Sequence, residues 1–584
     1  MDTCIDFTLP QGASGARLRQ RFGAARAVWA AHAPGEVRAV LDAAEDAARA
    51  GAWCVGFVRY EAAAAFEPAL ATHAADGPLA WFAVYDEALP WEEGSTGDAA
   101  HVAWRSSLQR EDFNQAMARI HEAIADGVFY QVNYTAPLHG ELLQGSAEAL
   151  FAALLRAQPG GYAACIDTGD EQILSVSPEL FFDWDGRRIL ARPMKGTAPR
   201  GATPEEDEAL AERLRSAPKE RAENVMVVDL LRNDLSRIAE PFSVQVPRLF
   251  HTQALPSVWQ MTSDVQARTR PGTRLADVFA ALFPCGSVTG APKVAAMRMI
   301  QALEPHPRGV YCGALGVLRP AGVGRMHATF NVPIRTLALR GTQAVCGIGS
   351  GITSGADAEG EWREWQHKRA FVERASQPFE LLETLALEDG AWRHLPEHLQ
   401  RLQDAARHFS YPWSAQVGQC LDELAAAHPA GLWRVRLQLD AQGRARAEAF
   451  ACAPTLEPVR LQLAAAALED RWTQGEFVRY KTSRRAHYEA FAPQDPAVFD
   501  TVLFNARGEI TEGTRGNVAA LLDGRWITPP PACGLLPGVG RAIALREGRV
   551  REGMLRLEDL PRVQAWAFVN SLRGWLAAEL ELPR

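Results

Sequence analysis

Pro378, in the run Ala375-Ser376-Gln377-Pro378, constrains the folding of this chain more than any other single feature. Proline disfavours helical geometry in the residue before it, so the helix-like pattern that runs into Ala375 has to stop there. Beyond it the pattern restarts: Phe379 to Ala386 reads as a strand, Asp389-Gly390 as a hairpin turn, and Glu397 to Phe409 as an amphipathic helix. A chain of 584 residues exceeds what one hydrophobic core supports. The break therefore reads as a boundary between domains at 1–374 and 378–584. A composition change at Thr455-Leu456-Glu457-Pro458 divides the second region into a small lobe, 378–456, and a large lobe, 457–584. Up to about residue 370, strand-like and helix-like segments alternate without low complexity or a solenoid-length repeat, as in one large mixed α/β unit.

Composition narrows the function classes. With 47% hydrophobic and 22% charged residues the chain reads as a soluble globular protein. A net charge of -9 gives no general attraction to phosphate backbones or anionic lipid, so nucleic-acid and membrane roles are disfavoured. The start, MDTCIDFTLPQG, lacks the basic residues and apolar run of a secretory signal, and no stretch of about 18 apolar residues occurs. The expected compartment is the cytoplasm. Nine scattered cysteines, never in a CxxC pair, read as reduced thiols rather than a disulfide framework or zinc site.

Chemistry-bearing patterns then stand out. Pro204 to Arg237 reads as helix and places Glu220 and Glu223 on one face; Glu359 to Arg374 does the same for Glu361 and Glu364. Magnesium binds through one or two carboxylates together with an anionic substrate, and such pairs suit it. By spacing alone each pair fits a solvated helix face equally well. Between these helices, Phe283 to Lys293 carries Thr289, Gly290 and Lys293 straight into a helical pattern, a junction whose N–H groups favour anions. Gly347-Ile348-Gly349-Ser350-Gly351 lets backbone approach a ligand, or marks a tight hairpin, and lacks the acidic residue a dinucleotide fold would supply.

As a set these residues resemble the chorismate-utilising family, and most closely aminodeoxychorismate synthase component I, over roughly residues 50–372. The matching runs are Tyr130-Gln131-Val132-Asn133, Ser177-Pro178-Glu179, Arg192 to Thr197, Arg221-Ala222-Glu223-Asn224, Val228 to Asp234 and the loop starting at Gly286. The resemblance implies an α/β sandwich of antiparallel sheets flanked by helices. It implies lysine at position 195 for aminodeoxychorismate synthases, where anthranilate synthases have alanine. An unprotonated Lys195 amine would add to ring carbon C2 of chorismate as the C4 hydroxyl leaves, and ammonia would then add at C4 and expel it. Gln131 stands where water-using relatives have a lysine base. Glu223 and Glu364 are implied as the nearest magnesium ligands, with Glu220 and Glu361 acting through water. Arg335, Tyr311 and the loop of Gly349, Ser350 and Gly351 are implied to hold substrate carboxylates; arginine suits that task, and Arg335 equally suits a structural ion pair. Trp259 replaces a histidine that protonates the leaving hydroxyl in several relatives, which leaves the acid open. Thr353 to Ala358 lacks the Asp-Ser-Asp-Pro pattern common before the second glutamate pair. No Gly-x-Cys-x-Gly segment is present, so ammonia is expected from solution or from a separate glutamine amidotransferase.

The second region resembles fold-type IV pyridoxal-phosphate enzymes, a group that includes 4-amino-4-deoxychorismate lyase and branched-chain aminotransferase. The carrying residues are His398 to Leu402, Lys481-Thr482-Ser483-Arg484, Asn505 to Gly508, Thr511 to Asn517 and Gly534 to Arg541. The resemblance implies a two-lobed α+β unit. Lys481, after a strand-like segment, would link covalently to pyridoxal phosphate and then carry protons. Glu512 would face the pyridine nitrogen, Asn517 would lie in the same site, and Arg401 with the N–H groups of Val539 and Gly540 would take the phosphate. His394 and His398 read as helix-start residues rather than zinc ligands. A homodimer through this unit is one assembly the resemblance allows. Two consecutive steps fused in one chain would convert chorismate and ammonia to 4-aminobenzoate and pyruvate. An aminotransferase or a silent docking module for the glutaminase are the other readings of the second unit.

Overall fold

The computed structural model describes residues 2–10, 16–91, 99–200, 204–254, 258–473 and 475–582. Contacts divide the chain into two compact units, Met1–Gln377 and Pro378–Arg584.

The first unit is built on two ten-stranded sheets. One runs, in spatial order, Gly290–Ala291, Gln131–Gln144, Gln343–Thr353, Thr336–Arg340, Gln172–Ser177, Tyr162–Asp167, Thr3–Thr8, Arg17–Phe22 and Leu89–Pro90, with His101–Ser106 also paired to Gln131–Gln144. The other runs from Met194–Pro199 through Val258–Arg268, Arg188–Arg192, Leu180–Trp184, Met326–Asn331, Ala314–Pro320, Trp53–Val58 and Ala80–Tyr85 to Ala27–Ala31, with Gln245–Ala254 also paired to Val258–Arg268. Neighbouring strands in both are antiparallel. Alternating side chains from each sheet, among them Ile5, Phe7 and Ile166 on one and Val55, Phe57, Leu315 and Val317 on the other, form the core between them. The outer faces are covered by helices. Pro34–Arg49, Pro218–Ser236 and Leu275–Leu282 pack on the second sheet, while Arg110–Ala125, Ala147–Ala157, Lys293–Leu303 and Ala358–Ala375 pack on the first. This is the helix-flanked antiparallel sandwich expected.

The helix expected over Pro204 to Arg237 is two helices, Pro204–Ser216 and Pro218–Ser236. Ala217 is extended at φ -61°, ψ 119°, because the pyrrolidine of Pro218 bars helical geometry there, and Pro218 opens the next helix at its first turn.

In the second unit, strands Ala391–Arg393, Leu381–Glu388, Leu432–Leu439 and Ala445–Ala451 form an antiparallel sheet. Asp389 and Gly390, both at positive φ, make its first turn. Helices Leu395–Phe409 and Gln416–Ala427 cover this sheet. An eight-stranded mixed sheet between Val459 and Glu581 follows, with Val459–Leu463 parallel to both Asp500–Phe504 and Gly574–Glu581. Among the described residues no helix is long and apolar enough to cross a membrane.

Candidate active sites

In the first unit, Gln343–Thr353 pairs with Gln131–Gln144 so that Gly351 stands opposite Asn133 and Thr353 opposite Gln131. The glycines read from sequence as a loop therefore lie within a strand, and period-two alternation puts Gly347, Gly349 and Gly351 on one face. A Cβ at Gly351 would stand 2.5 Å from Gln131 Nε2 and 2.8 Å from Lys195 Nζ, and one at Gly347 would strike the Tyr311 ring. The missing side chains are what let an amide, an amine and a phenol ring lie against this backbone.

Gln131 is buried and its Nε2 has no hydrogen-bond partner among the described residues. A buried donor left unpaired costs free energy, so the position suits a ligand that would accept from it. Close to Lys195, Glu179 is buried and accepts a hydrogen bond from Ser287 Oγ at 2.7 Å. Burial pushes its carboxyl up to about 7, against the opposing pull of Ser287 and Lys195. The run Ser177-Pro178-Glu179 carries the family likeness, but nothing in the residue order assigns Glu179 a role. The available signal was an acid set directly before the apolar strand Leu180-Phe181-Phe182.

Glu220 and Glu223 project from Pro218–Ser236 and Glu361 and Glu364 from Ala358–Ala375. Burial raises the carboxyls of Glu220, Glu223 and Glu361; the first two also feel Glu364, and Glu361 feels it too. Glu364 is exposed, and its partial desolvation is outweighed by an ion pair with Lys368 at 2.7 Å, so the carboxyl is lowered. Among the described residues no group of three or more such side chains stands close enough to hold a metal as placed. One Glu361 oxygen accepts from Ser350 Oγ, which in turn accepts from Trp365 Nε1 at 2.9 Å. The Ser350 side chain thus points to the helix Ala358–Ala375, away from the glycine face.

Arg335 donates to Gln158 and pairs with no carboxylate among the described residues; burial and nearby Arg374 lower it to about 10. Tyr311 sits with it in the expected set but lines a cavity of about 480 Å³ that also touches Thr135, Glu304, Arg308 and Gly347, and not Lys195. Lys293 is held by Asp234 at 3.3 Å and by the Leu282 carbonyl at 3.2 Å, and Thr289 Oγ1 by the Cys285 carbonyl. Gly290, at φ 146°, lies against the Gln131 carbonyl. The Trp259 indole N–H is committed to Asp207 at 2.9 Å.

In the second unit, Lys481 follows the short helix Glu476–Arg479 instead of a strand, and its carbonyl accepts from Leu382 N–H at 2.9 Å. Burial lowers its amine to about 8, and Arg401 adds to the effect. Glu512 is buried and raised by that burial to about 7, while Tyr488, the Leu536 N–H, Arg485 and Lys481 oppose the rise. Asn517 Nδ2 reaches Glu512 at 3.3 Å and the Leu536 carbonyl at 2.9 Å. Arg401 grips Glu383 through Nε at 2.8 Å and Nη2 at 2.6 Å, and Nη1 reaches the Pro537 carbonyl at 3.4 Å, beside the loop to Val539 and Gly540. Glu383, which sequence reasoning missed, also receives His398 Nδ1 at 2.6 Å; burial opposes its ionisation, but Arg401 and His398 bring its carboxyl down to about 2. Its signal was an acid set between apolar residues near the start of the strand Leu381–Glu388. His394 caps the helix Leu395–Phe409 at φ 56°, and His398 stands one turn inside it.

The profile described as chorismate binding enzyme matches residues 16–374, and that described as amino-transferase class IV matches residues 380–579. Since the first match exceeds half its length, the chain belongs to the chorismate binding enzyme family. It is 38% identical over 285 residues to aminodeoxychorismate synthase component 1 of Klebsiella aerogenes, covering 47% of this chain and 61% of that one. It is 36% identical over 282 residues to anthranilate synthase component 1 of Streptomyces coelicolor, covering 48% and 53%. The crystal structure of anthranilate synthase component I from Streptococcus pneumoniae TIGR4 superimposes with a TM-score of 0.51 at 25% identity, covering 64% of this chain and 92% of that one. The chain thus spans little more than half the length of the curated relatives it matches. The class IV fold of the second unit implies pyridoxal phosphate.

Proposed function

We propose that the chain makes 4-aminobenzoate in two steps: chorismate and ammonia to 4-amino-4-deoxychorismate and water, then elimination of pyruvate. The carrying observation is Lys195 Nζ beside Gln131 Nε2 under Gly351. Relatives of both synthase types match at similar identity, so the choice between para- and ortho-amino products rests on Lys195 itself. Its amine forms a bond to C2 while both conjugated ring double bonds shift along C1, C6 and C5 and the C4–O bond breaks; Glu179, half-protonated near pH 7, supplies the proton that turns the leaving hydroxide into water. Ammonia, from a separate glutamine amidotransferase or from solution, then adds at C4 and the lysine leaves as the reverse shift occurs. Gln131 cannot act as a base toward water, which favours ammonia as nucleophile. Arg335 meets a substrate carboxylate, the anion its own surroundings lack. The four glutamates crowd negative charge that a cation would relieve, which fits magnesium, with Glu223 and Glu364 nearest and Glu220 and Glu361 through water. When bound, the ion would supply charge for anchoring a substrate carboxylate.

Pyridoxal phosphate, when bound in the second unit, supplies an electron sink. A buried amine lowered to about 8, a raised carboxylate and an arginine beside a glycine-containing loop fit that group. Lys481 would hold it and carry protons at its amine, Glu512 would meet the pyridine nitrogen, and Arg401 with the Val539 and Gly540 N–H groups would meet the phosphate.

Incubation with chorismate, ammonium and magnesium, with and without pyridoxal phosphate, tests both halves by chromatography. Formation of 4-aminobenzoate and pyruvate supports the reading. Aminodeoxychorismate alone, with cofactor present, refutes the lyase step, and consumption of an added keto acid by the cofactor's amino group would make the unit an aminotransferase.

A further inference from the structure

Glu512 is held unevenly. Tyr488 Oη donates to Oε1 at 2.6 Å and the Leu536 N–H donates to the same oxygen at 3.0 Å. Among the described residues Oε2 receives only Asn517 Nδ2 at 3.3 Å, and that amide is drawn off by the Leu536 carbonyl at 2.9 Å. Two well-placed donors occupy Oε1, while Oε2 retains acceptor capacity.

Resting on the pyridoxal-phosphate reading of this unit, we infer that Tyr488 is a positioning residue of the cofactor site. It pins Glu512 Oε1 so that Oε2 is presented, ionised, to the pyridine nitrogen. Tyr488 stands on the short helix Ala486–Glu489, seven residues after Lys481, and is buried. Its ring lies against His487 at 4.1 Å and under the Arg485 guanidinium at 4.6 Å, and Arg485 is itself anchored to the Thr514 carbonyl at 2.6 Å. The phenol is therefore aimed before any ligand arrives. The charged or titratable groups acting on Glu512 are Tyr488, Arg485 and Lys481; those acting on Tyr488 are Glu512 and Arg485. Burial and Glu512 raise the phenol well above its ordinary value, so it remains a neutral donor across the working pH range. The hydrogen bond opposes the burial that raises Glu512, so its removal raises that carboxyl further.

The test compares Y488F, E512Q and Y488F/E512Q in the full chain. It reads the pyridoxal-phosphate dissociation constant by equilibrium dialysis and the pH at which the bound cofactor's visible absorbance changes. Loss of a hydrogen bond to a charged group predicts roughly tenfold weaker binding for Y488F and a transition moved up by about one pH unit. The double variant should match E512Q within about twofold, because Tyr488 acts only through Glu512. An unchanged affinity and transition in Y488F overturn the inference, as does a further tenfold loss in the double variant. The second comparison still decides if Y488F lowers the unfolding temperature. Failure of the unaltered protein to take up the cofactor would instead overturn the pyridoxal-phosphate reading, and this inference with it.

Discussion

Replacing Gly351 with alanine perturbs the first site at a known distance. Gly351 is not among the glycines at positive φ, so its backbone accepts a Cβ. That atom would stand 2.5 Å from Gln131 Nε2 and 2.8 Å from Lys195 Nζ, whereas ordinary contact begins at 3.4 Å. The amide must therefore retreat about 0.9 Å and the amine about 0.6 Å. Both obstacles are the ends of flexible side chains, so the cost falls on their placement and not on the fold. Misplacing a reacting group by about 1 Å lowers the rate on the order of 10²-fold, ~2.7 kcal/mol of barrier. The assay is chorismate consumption with ammonium and magnesium, read as kcat/KM, alongside thermal unfolding of the same variant. A value within about threefold of the unaltered protein, at unchanged unfolding temperature, would refute the assignment of Lys195 and Gln131 to the reacting centre.

Other substitutions probe the neighbouring groups. Because burial holds the Glu179 carboxyl at about 7, above the roughly 4.3 of an unfolded chain, its stabilising contribution is complete below about pH 4.3 and is lost as pH rises through about 7. E179Q should flatten that part of a denaturation–pH series, lower chorismate turnover by roughly 10²-fold or more, and abolish the decline of turnover as pH rises through about 7. Arg335 is a half-buried cation with no carboxylate partner among the described residues, so R335M should cost in stability no more than its hydrogen bond to Gln158 while raising KM for chorismate roughly tenfold or more; a lower unfolding temperature with unaltered KM would contradict the role given to it. The Lys481 amine, lowered to about 8 by burial, becomes more nucleophilic as pH rises through that value. Covalent uptake of pyridoxal phosphate should accelerate from pH 6 to 8 and level off above, and K481R should show no covalent uptake by mass spectrometry after borohydride reduction.

Local chemistry made some of this legible in the residue order. A proline ends the helix before it, Asp-Gly prefers positive φ at both positions, and a spacing of three puts Glu361 and Glu364 on one helical face whatever surrounds them. The same steric rule applied to Pro218 would have revealed the break at Ala217, which the helical periodicity on either side concealed. Glycines at two-residue intervals suit a loop or a strand equally, and only pairing with Gln131–Gln144 decided for the strand.

The rest depends on residues distant in sequence. That Ser350 serves Glu361, that Lys293 is held by Asp234, and that Trp259 is tied to Asp207 follow from which elements pack together. The raised carboxyls of Glu179 and Glu512 and the lowered amine of Lys481 come chiefly from burial, which belongs to the assembled fold and not to neighbours in the chain. Sequence by itself determined which reactive groups the chain carries and where it divides; tertiary structure decided which of them face one another and in which protonation state, because desolvation and hydrogen bonding act through space.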